Sequence, residues 1–244
     1  KVQSVEDVEA SSTSVDDEAL RERFNRVKEL FAAGAHQEGE DELKAIISEN
    51  PDLAVAWLIR GLMAYEQSNQ EVWEECWEKM TQMGAEWLPF LEIQAEWKLF
   101  QGEIEEAREL YFKALRKAPT SMRILDPLLR LEFLHGSNEL REPLVRTALA
   151  LNPNHALANF VLGTMQVHRG EILEAEASLR VAYENEPSAM AINNLAWVLI
   201  ERGKYEEALD LAEEGLNSVD TMFALWDTRG MALFELGLIE EAEQ

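Results

Sequence analysis

The side chains able to do acid–base, nucleophilic or metal chemistry are few and scattered. Histidine stands at His36, His135, His155 and His168, and the one cysteine is Cys76. None of them has the short, fixed spacing from which a metal site draws its ligands. His135 and His168 hold equivalent positions in the repeating pattern described below, the one arrangement that would bring two histidines together. Paired carboxylates recur at Glu105-Glu106, Glu206-Glu207 and Glu240-Glu241. Each pair follows a glycine closely and so falls in the first turn of an expected helix, where the helix dipole favours negative charge. They read as helix starts, not as a general acid and its base. No phosphate-cradling glycine loop, nucleophile elbow or catalytic cysteine pair is present. The sequence therefore predicts no cofactor, no metal and no enzymatic activity.

What remains is the chemistry of contact. Trp57, Trp73, Trp77, Trp87 and Trp97 crowd five of the seven tryptophans into one stretch of the chain. Aromatic anchors dominate binding hot spots, but large aromatics also carry much of a core's burial; the two readings differ in whether the indoles are accessible. Arg123 and Arg130, seven residues apart, share one helical face. They would receive a partner's carboxylate or pair with Glu92, Glu96 or Asp126, the commoner fate of surface charge. The formal net charge is -25, from 47 acidic and 22 basic residues. Such a field repels phosphate backbones, which disfavours nucleic acid and anionic membranes as partners and favours basic or neutral ones, unless the charge serves only the solubility of a Glu-rich helical surface. No apolar run approaches the roughly 18 residues needed to cross a bilayer, and the first thirty residues contain no apolar signal core. A soluble protein is expected, in the cytoplasm first and in the periplasm or another extracytoplasmic space second. The single cysteine allows no intrachain disulfide and does not decide between them.

The elements that must position these residues are set by a period. Glycines fall at Gly34, Gly102, Gly136, Gly170, Gly203 and Gly237, with Ser68 in the empty slot, at gaps of 34 residues except for one of 33 between Gly170 and Gly203. Prolines at Pro51, Pro119, Pro153 and Pro187 stand seventeen residues after a glycine. Between them apolar residues recur at helical spacing, as in Leu20, Phe24, Val27 and Phe31. A period held across the chain is the mark of stacked helix pairs. Residues 1–13 read as a linker, Ser14 and Asp17 as a helix start, and 38–49 as a second helix ending before Pro51. The solenoid is expected over 14–244, in repeats of approximately 20–53, 54–87, 88–121, 122–155, 156–188, 189–222 and a truncated 223–244. The short gap is placed between Pro187 and Ala189. Repeat four is irregular, because Pro127 and Pro143 fall inside expected helices; Asp126-Pro127 would start the first of these late, at about 127–135. Lys1 in place of a methionine, and an end inside a helical pattern, lead to the expectation that the natural chain extends at both ends.

The punctuation resembles the tetratricopeptide repeat. Repeat five carries it in Leu162-Gly163, Gly170, Ala175, Leu179, Ala182 and Pro187, and repeat three in Gly102, Ala107, Tyr111, Ala114 and Pro119. Repeat two supplies Trp57 and Gly61, repeat six Gly203, Tyr205 and Ala208, and repeat seven Trp226, Gly230, Gly237 and Ala242. Departures are Trp73 and Arg141, and Gly39 and Gly215, in slots where the family has alanine. The resemblance implies an all-α, right-handed solenoid of about seven antiparallel helix pairs, with small residues such as Gly61, Gly163, Ala107 and Ala175 letting paired helices approach closely. It implies a concave groove lined by residues ten and six before each turn glycine. The first row is then Phe24, Leu58, Glu92, Asp126, Phe160, Asn193 and Asp227; the second is Lys28, Leu62, Glu96, Arg130, Thr164, Trp197 and Met231.

Some members of the family grip an acidic C-terminal tail with a basic clamp on consecutive repeats. Leu58, Leu62, Glu92 and Glu96 depart from that clamp, so an acidic tail is not the expected ligand. Leu58, Leu62, Tyr65, Phe160 and Trp197 point instead to an apolar or amphipathic segment, with Asn193 and Asn194 placed to bond its backbone. The expected function is a non-enzymatic scaffold that holds a protein or peptide. The alternatives are a regulatory or targeting segment of a larger enzyme or assembly machine, and a solenoid that self-associates because no polar capping helix follows repeat seven.

Overall fold

A computed structural model of the chain describes residues 18–84, 87–219 and 221–242. The expected linker over 1–13 and the start at Ser14 and Asp17 lie outside the described residues. Among those described, all regular structure is helical, in fourteen helices that alternate as first and second members of seven pairs. They are α1 (Glu18–Ala32), α2 (His36–Glu49), α3 (Ala54–Glu66), α4 (Gln70–Gln82), α5 (Leu88–Phe100), α6 (Ile104–Lys117) and α7 (Met122–His135). The rest are α8 (Asn138–Leu151), α9 (Ala156–His168), α10 (Ile172–Asn185), α11 (Ala189–Glu201), α12 (Tyr205–Ser218), α13 (Phe223–Glu235) and the short α14 (Ile239–Ala242). None is long and apolar enough to cross a membrane. The fold is an α-solenoid of helix pairs, in two compact units that divide after Lys117.

The turn within each pair follows from backbone stereochemistry. Gly34, Gly102, Gly170, Gly203 and Gly237 all have φ between 71° and 79°, a region open to glycine and costly for residues with a Cβ. There the chain closes a reciprocal pair of bonds: in one such turn Gly170 N–H donates to Val167 O and Glu171 N–H to Gln166 O. Ser68 takes the same conformation at φ 57° without being glycine. Gly136 departs from the expectation. Its φ is -100° and its ψ -176°, so it is extended, not left-handed. The reason is Arg141, whose Nε donates to Glu132 O at 2.7 Å and whose Nη2 donates to Gly136 O at 2.7 Å and Phe133 O at 3.1 Å. A guanidinium thus satisfies the carbonyls at the end of α7 that the glycine turn satisfies elsewhere. The bulky residue in a small slot is a cap.

One expectation needs correction in repeat four. Helix α7 begins at Met122 rather than at Pro127, while Pro127 and Pro143 lie inside their helices as the spacing places them. Each proline removes one backbone bond, a cost of about 3 kcal/mol in a helix interior. Around Pro127 this is offset by burial of Ile124, Leu125, Leu128, Leu129 and Leu131, each worth about 1.5–3 kcal/mol. Helix α2 starts at His36, two residues before expectation. The short gap falls where it was placed: Glu186, Pro187 and Ser188 alone join α10 to α11.

Each unit has its own core. In the first, Val27, Leu43, Ile46, Leu58, Ile59, Met80 and Phe90 are enclosed around Cys76. Burial pushes the Cys76 thiol up to about 12, against the pull of the nearby Arg60 charge. Arg60 is itself buried and joins three helices, its Nε 2.8 Å from Glu40 of α2 and its Nη1 2.9 Å from Glu75 of α4. In the second unit Leu128, Leu144, Val161, Leu179, Leu195, Leu199 and Leu225 are enclosed. Glycines make the closest approaches: a Cβ on Gly61 would lie 3.2 Å from Cys76 Cβ, and one on Gly163 2.6 Å from Leu179 Cγ. The neighbourhood of Gly230 is open, the nearest atom being Ala242 O at 3.8 Å.

Candidate binding surfaces

In the first unit, α5 sets one site. Ile93, Glu96, Trp97 and Phe100 stand at i, i+3, i+4 and i+7 and so share a face. With Leu62 and Tyr65 of α3 and Trp73 of α4 they line a cavity of about 180 Å³. The rings are in contact. Trp73 lies 5.6 Å from Tyr65 and 5.8 Å from Trp97, centroid to centroid, and Trp97 stacks on Phe100 at 5.6 Å with 26° between planes. Trp73 is 3% exposed, whereas Tyr65 and Phe100 are 61% and 82% exposed. The site thus has an enclosed aromatic floor and an open aromatic rim. Glu96 is exposed; Glu92, one turn earlier, is buried. Among the described residues the enclosed Tyr111 hydroxyl has no hydrogen-bond partner. Burial, then the charges of Glu96 and Glu92, raise the Tyr111 pKa. The same unit has a broader depression of about 900 Å³ between α4, α5 and α6, edged by Lys98, Lys113 and Arg116 among others.

The tryptophan cluster accordingly divides between the two readings. Trp57 and Trp73 are buried, and Trp57 Nε1 donates to Pro51 O at 2.8 Å. Trp77, Trp87 and Trp97 are half-buried. Leu58 is a correction: it is fully enclosed in the core and cannot touch a ligand. The spacing placed it on the inner face, but in this pair that face packs on the neighbouring helices.

In the second unit a cavity of about 330 Å³ is framed by α7, α9 and the junction of α10 with α11. Phe133 and Leu134 of α7, Leu157 and Phe160 of α9 and Met190 of α11 form its apolar wall, with Arg130 and Glu186 at its polar edge. Phe133 meets Phe160 edge to face at 5.2 Å. Of the residues expected in the groove, Arg130 and Phe160 are brought together here. Asn193, Asn194 and Trp197 lie further along α11, outside this lining. Asn193 Oδ1 accepts from Thr228 at 2.9 Å, and Asn194 Nδ2 donates to Thr164 Oγ1 at 3.4 Å, so both amides are partly engaged between helices. Asp126 lies 3.1 Å from His155 Nε2, and Arg123 is exposed on the same helix. His168 Nδ1 lies 2.7 Å from Thr164 O of its own helix. Among the described residues no group of three or more His, Cys, Asp or Glu is arranged to hold a metal ion.

Ile93, Phe100, Leu134 and Met190 were missed by the sequence reading. A signal was present for two: continuing the second row by one helical turn, from Glu96 and Arg130, reaches Phe100 and Leu134.

Residues 142–190 and 188–218 each match a family described as tetratricopeptide repeat. None of the curated proteins matches the chain. Solved structures share its fold. PilF of Pseudomonas aeruginosa is 13% identical with a TM-score of 0.67, over 86% of this chain and 96% of that one. YrrB, described as a TPR protein with an unusual peptide-binding site, is 18% identical with a TM-score of 0.61, over 77% and 97%. PilW, described as a widely conserved type IV pilus biogenesis factor, is 13% identical with a TM-score of 0.58, over 86% and 97%.

Proposed function

We propose that this chain, which matches the tetratricopeptide repeat over residues 142–218 and shares the fold of solved proteins of that kind, is a scaffold that holds a protein or peptide against its first helices. The observation that carries this reading is a recurrent one. In each unit first helices of the pairs hold large apolar side chains out of the core around a concavity, Tyr65 and Phe100 in one and Leu134 and Met190 in the other. Soluble proteins rarely leave such groups together without use. The partner is apolar or basic, in keeping with a net charge of -25. No reaction centre is needed for this role, and the peptide-binding site ascribed to YrrB points the same way.

Photo-crosslinking residues placed at Leu62 and Trp197, with controls at the exposed positions Glu71 and Glu174, test the reading. Partner cross-links from the inner positions are expected; equal yield from the outer positions would remove it.

A second reading, self-association, draws on α13 and α14, where Phe223, Phe234, Leu238 and Ile239 are exposed. Light scattering that shows a monomer over a wide concentration range would exclude it.

A further inference from the structure

We propose that the aromatic pocket between α3, α4 and α5 is an ammonium site that seats a lysine side chain of the bound polypeptide, with Tyr65, Trp97 and Phe100 presenting ring surface and Glu96 the counter-charge. The inference rests on the scaffold reading and gives its partner a chemical identity.

Three features distinguish this pocket from a merely greasy one. Aromatic rings line it from three helices, and ring faces attract cations through their quadrupole, most strongly where water is partly excluded. The partial exclusion is visible in the contrast between the enclosed Trp73 floor and the open Tyr65 and Phe100 rim. Next, a carboxylate stands in the same lining. Among the described residues no lysine or arginine is ion-paired with Glu96, whereas Glu103 and Glu106 at the start of α6 both engage Lys98. Glu96 therefore keeps its charge available to a ligand. Last, among the described residues the lining holds no basic side chain that would repel an ammonium.

Size selects within the cations. Four methylenes and a nitrogen occupy on the order of 150 Å³, counting each heavy atom as about one water's volume, and the cavity is about 180 Å³. The seven heavy atoms of an arginine side chain need about 210 Å³ by the same count, more than the cavity holds. A free quaternary ammonium is best held by rings on all sides, but here the rim is open to the solvent from which a peptide's side chain would enter.

The test uses the full chain and four probes: Nα-acetyl-lysine N-methylamide, its norleucine and arginine counterparts, and choline. Indole N–H resonances of Trp73 and Trp97 report occupancy. The lysine probe is expected to shift them saturably, and norleucine to bind about fivefold or more weaker, the loss of one cation–π contact. Glu96→Gln, at an exposed position that leaves the fold intact, is expected to weaken the lysine probe about fivefold and to leave norleucine unchanged. Trp97→Phe should weaken both. Equal binding of norleucine, tighter binding of arginine or choline, or no saturable shift would each overturn the proposal. The scaffold reading fails separately, by its cross-links: if those persist from Leu62 while the parent chain gives no saturable shift with the lysine probe, only the ammonium site is lost.

Discussion

Gly163 and Gly230 fill the same slot of their repeats, yet the structure gives them different work. A methyl group at Gly163 would meet Leu179 at 2.6 Å, whereas one at Gly230 meets nothing closer than 3.8 Å among the described residues. Gly163→Ala should therefore cost about 1–3 kcal/mol through overpacking. Gly230→Ala should be neutral or stabilise by up to about 1 kcal/mol, since alanine is the better helix former. Urea midpoints of the two variants check this; equal losses would mean that the slot, not its neighbour, sets the requirement. The sequence showed both glycines and could not rank them, because the distance to a facing side chain is not written in the period. The same limit explains Leu58. Its position in the row was legible, but its enclosure depends on how closely the neighbouring helices pack.

Among the elements, α10, α11 and α12 are tied by charge as well as by apolar contact. Glu176 of α10 is buried and is met by Arg180 at 2.9 Å, Arg202 at 2.8 Å and Lys204 at 2.6 Å, and Arg180 also reaches Glu207 at 2.6 Å. Burial works against the Glu176 charge, but the hydrogen bonds from Lys204 and Arg180 outweigh it and hold the carboxyl below its ordinary value of 4.5. A carboxyl with a lowered folded pKa contributes stability that is present above the unfolded value and is lost as pH falls through the folded one. Glu176→Gln should thus cost about 1–2 kcal/mol at neutral pH, the partners being partly exposed. The gap to the parent should close as pH falls below about 4.5. Denaturant midpoints across that range test it, and a gap independent of pH would mean that the side chain matters only for its packing. At this scale most of the fold was legible: helix order, the short link at 186–188 and the capping acids all followed from spacing. The start of α7 did not, because burial of its leucines overrides the break that Pro127 signals locally.

At the scale of the whole molecule, charge and repetition act together. A net charge of -25 on a 244-residue chain works against compaction through self-repulsion. Raising the salt concentration from a few millimolar to about 0.5 M shortens the screening length several-fold. The melting temperature should therefore rise with salt, even though clusters such as that around Glu176 are weakened. A fall would mean that local ion pairs outweigh the global field. The role of the protein was legible only as far as its class. Periodicity announces a surface built of helix pairs, whereas the identity of a ligand rests on a few side chains, such as Phe100 and Leu134, that lie one turn beyond the expected rows.

The bend between α7 and α8 stands apart from the others. Elsewhere, at six corners, a left-handed residue locks the geometry, and handedness belongs to the main chain. Between α7 and α8 the lock is a single guanidinium, that of Arg141, lying across three carbonyls. One codon therefore governs how firmly that corner is latched, which makes it the point where descendants of this protein can retune the angle of a helix pair without rebuilding the turn.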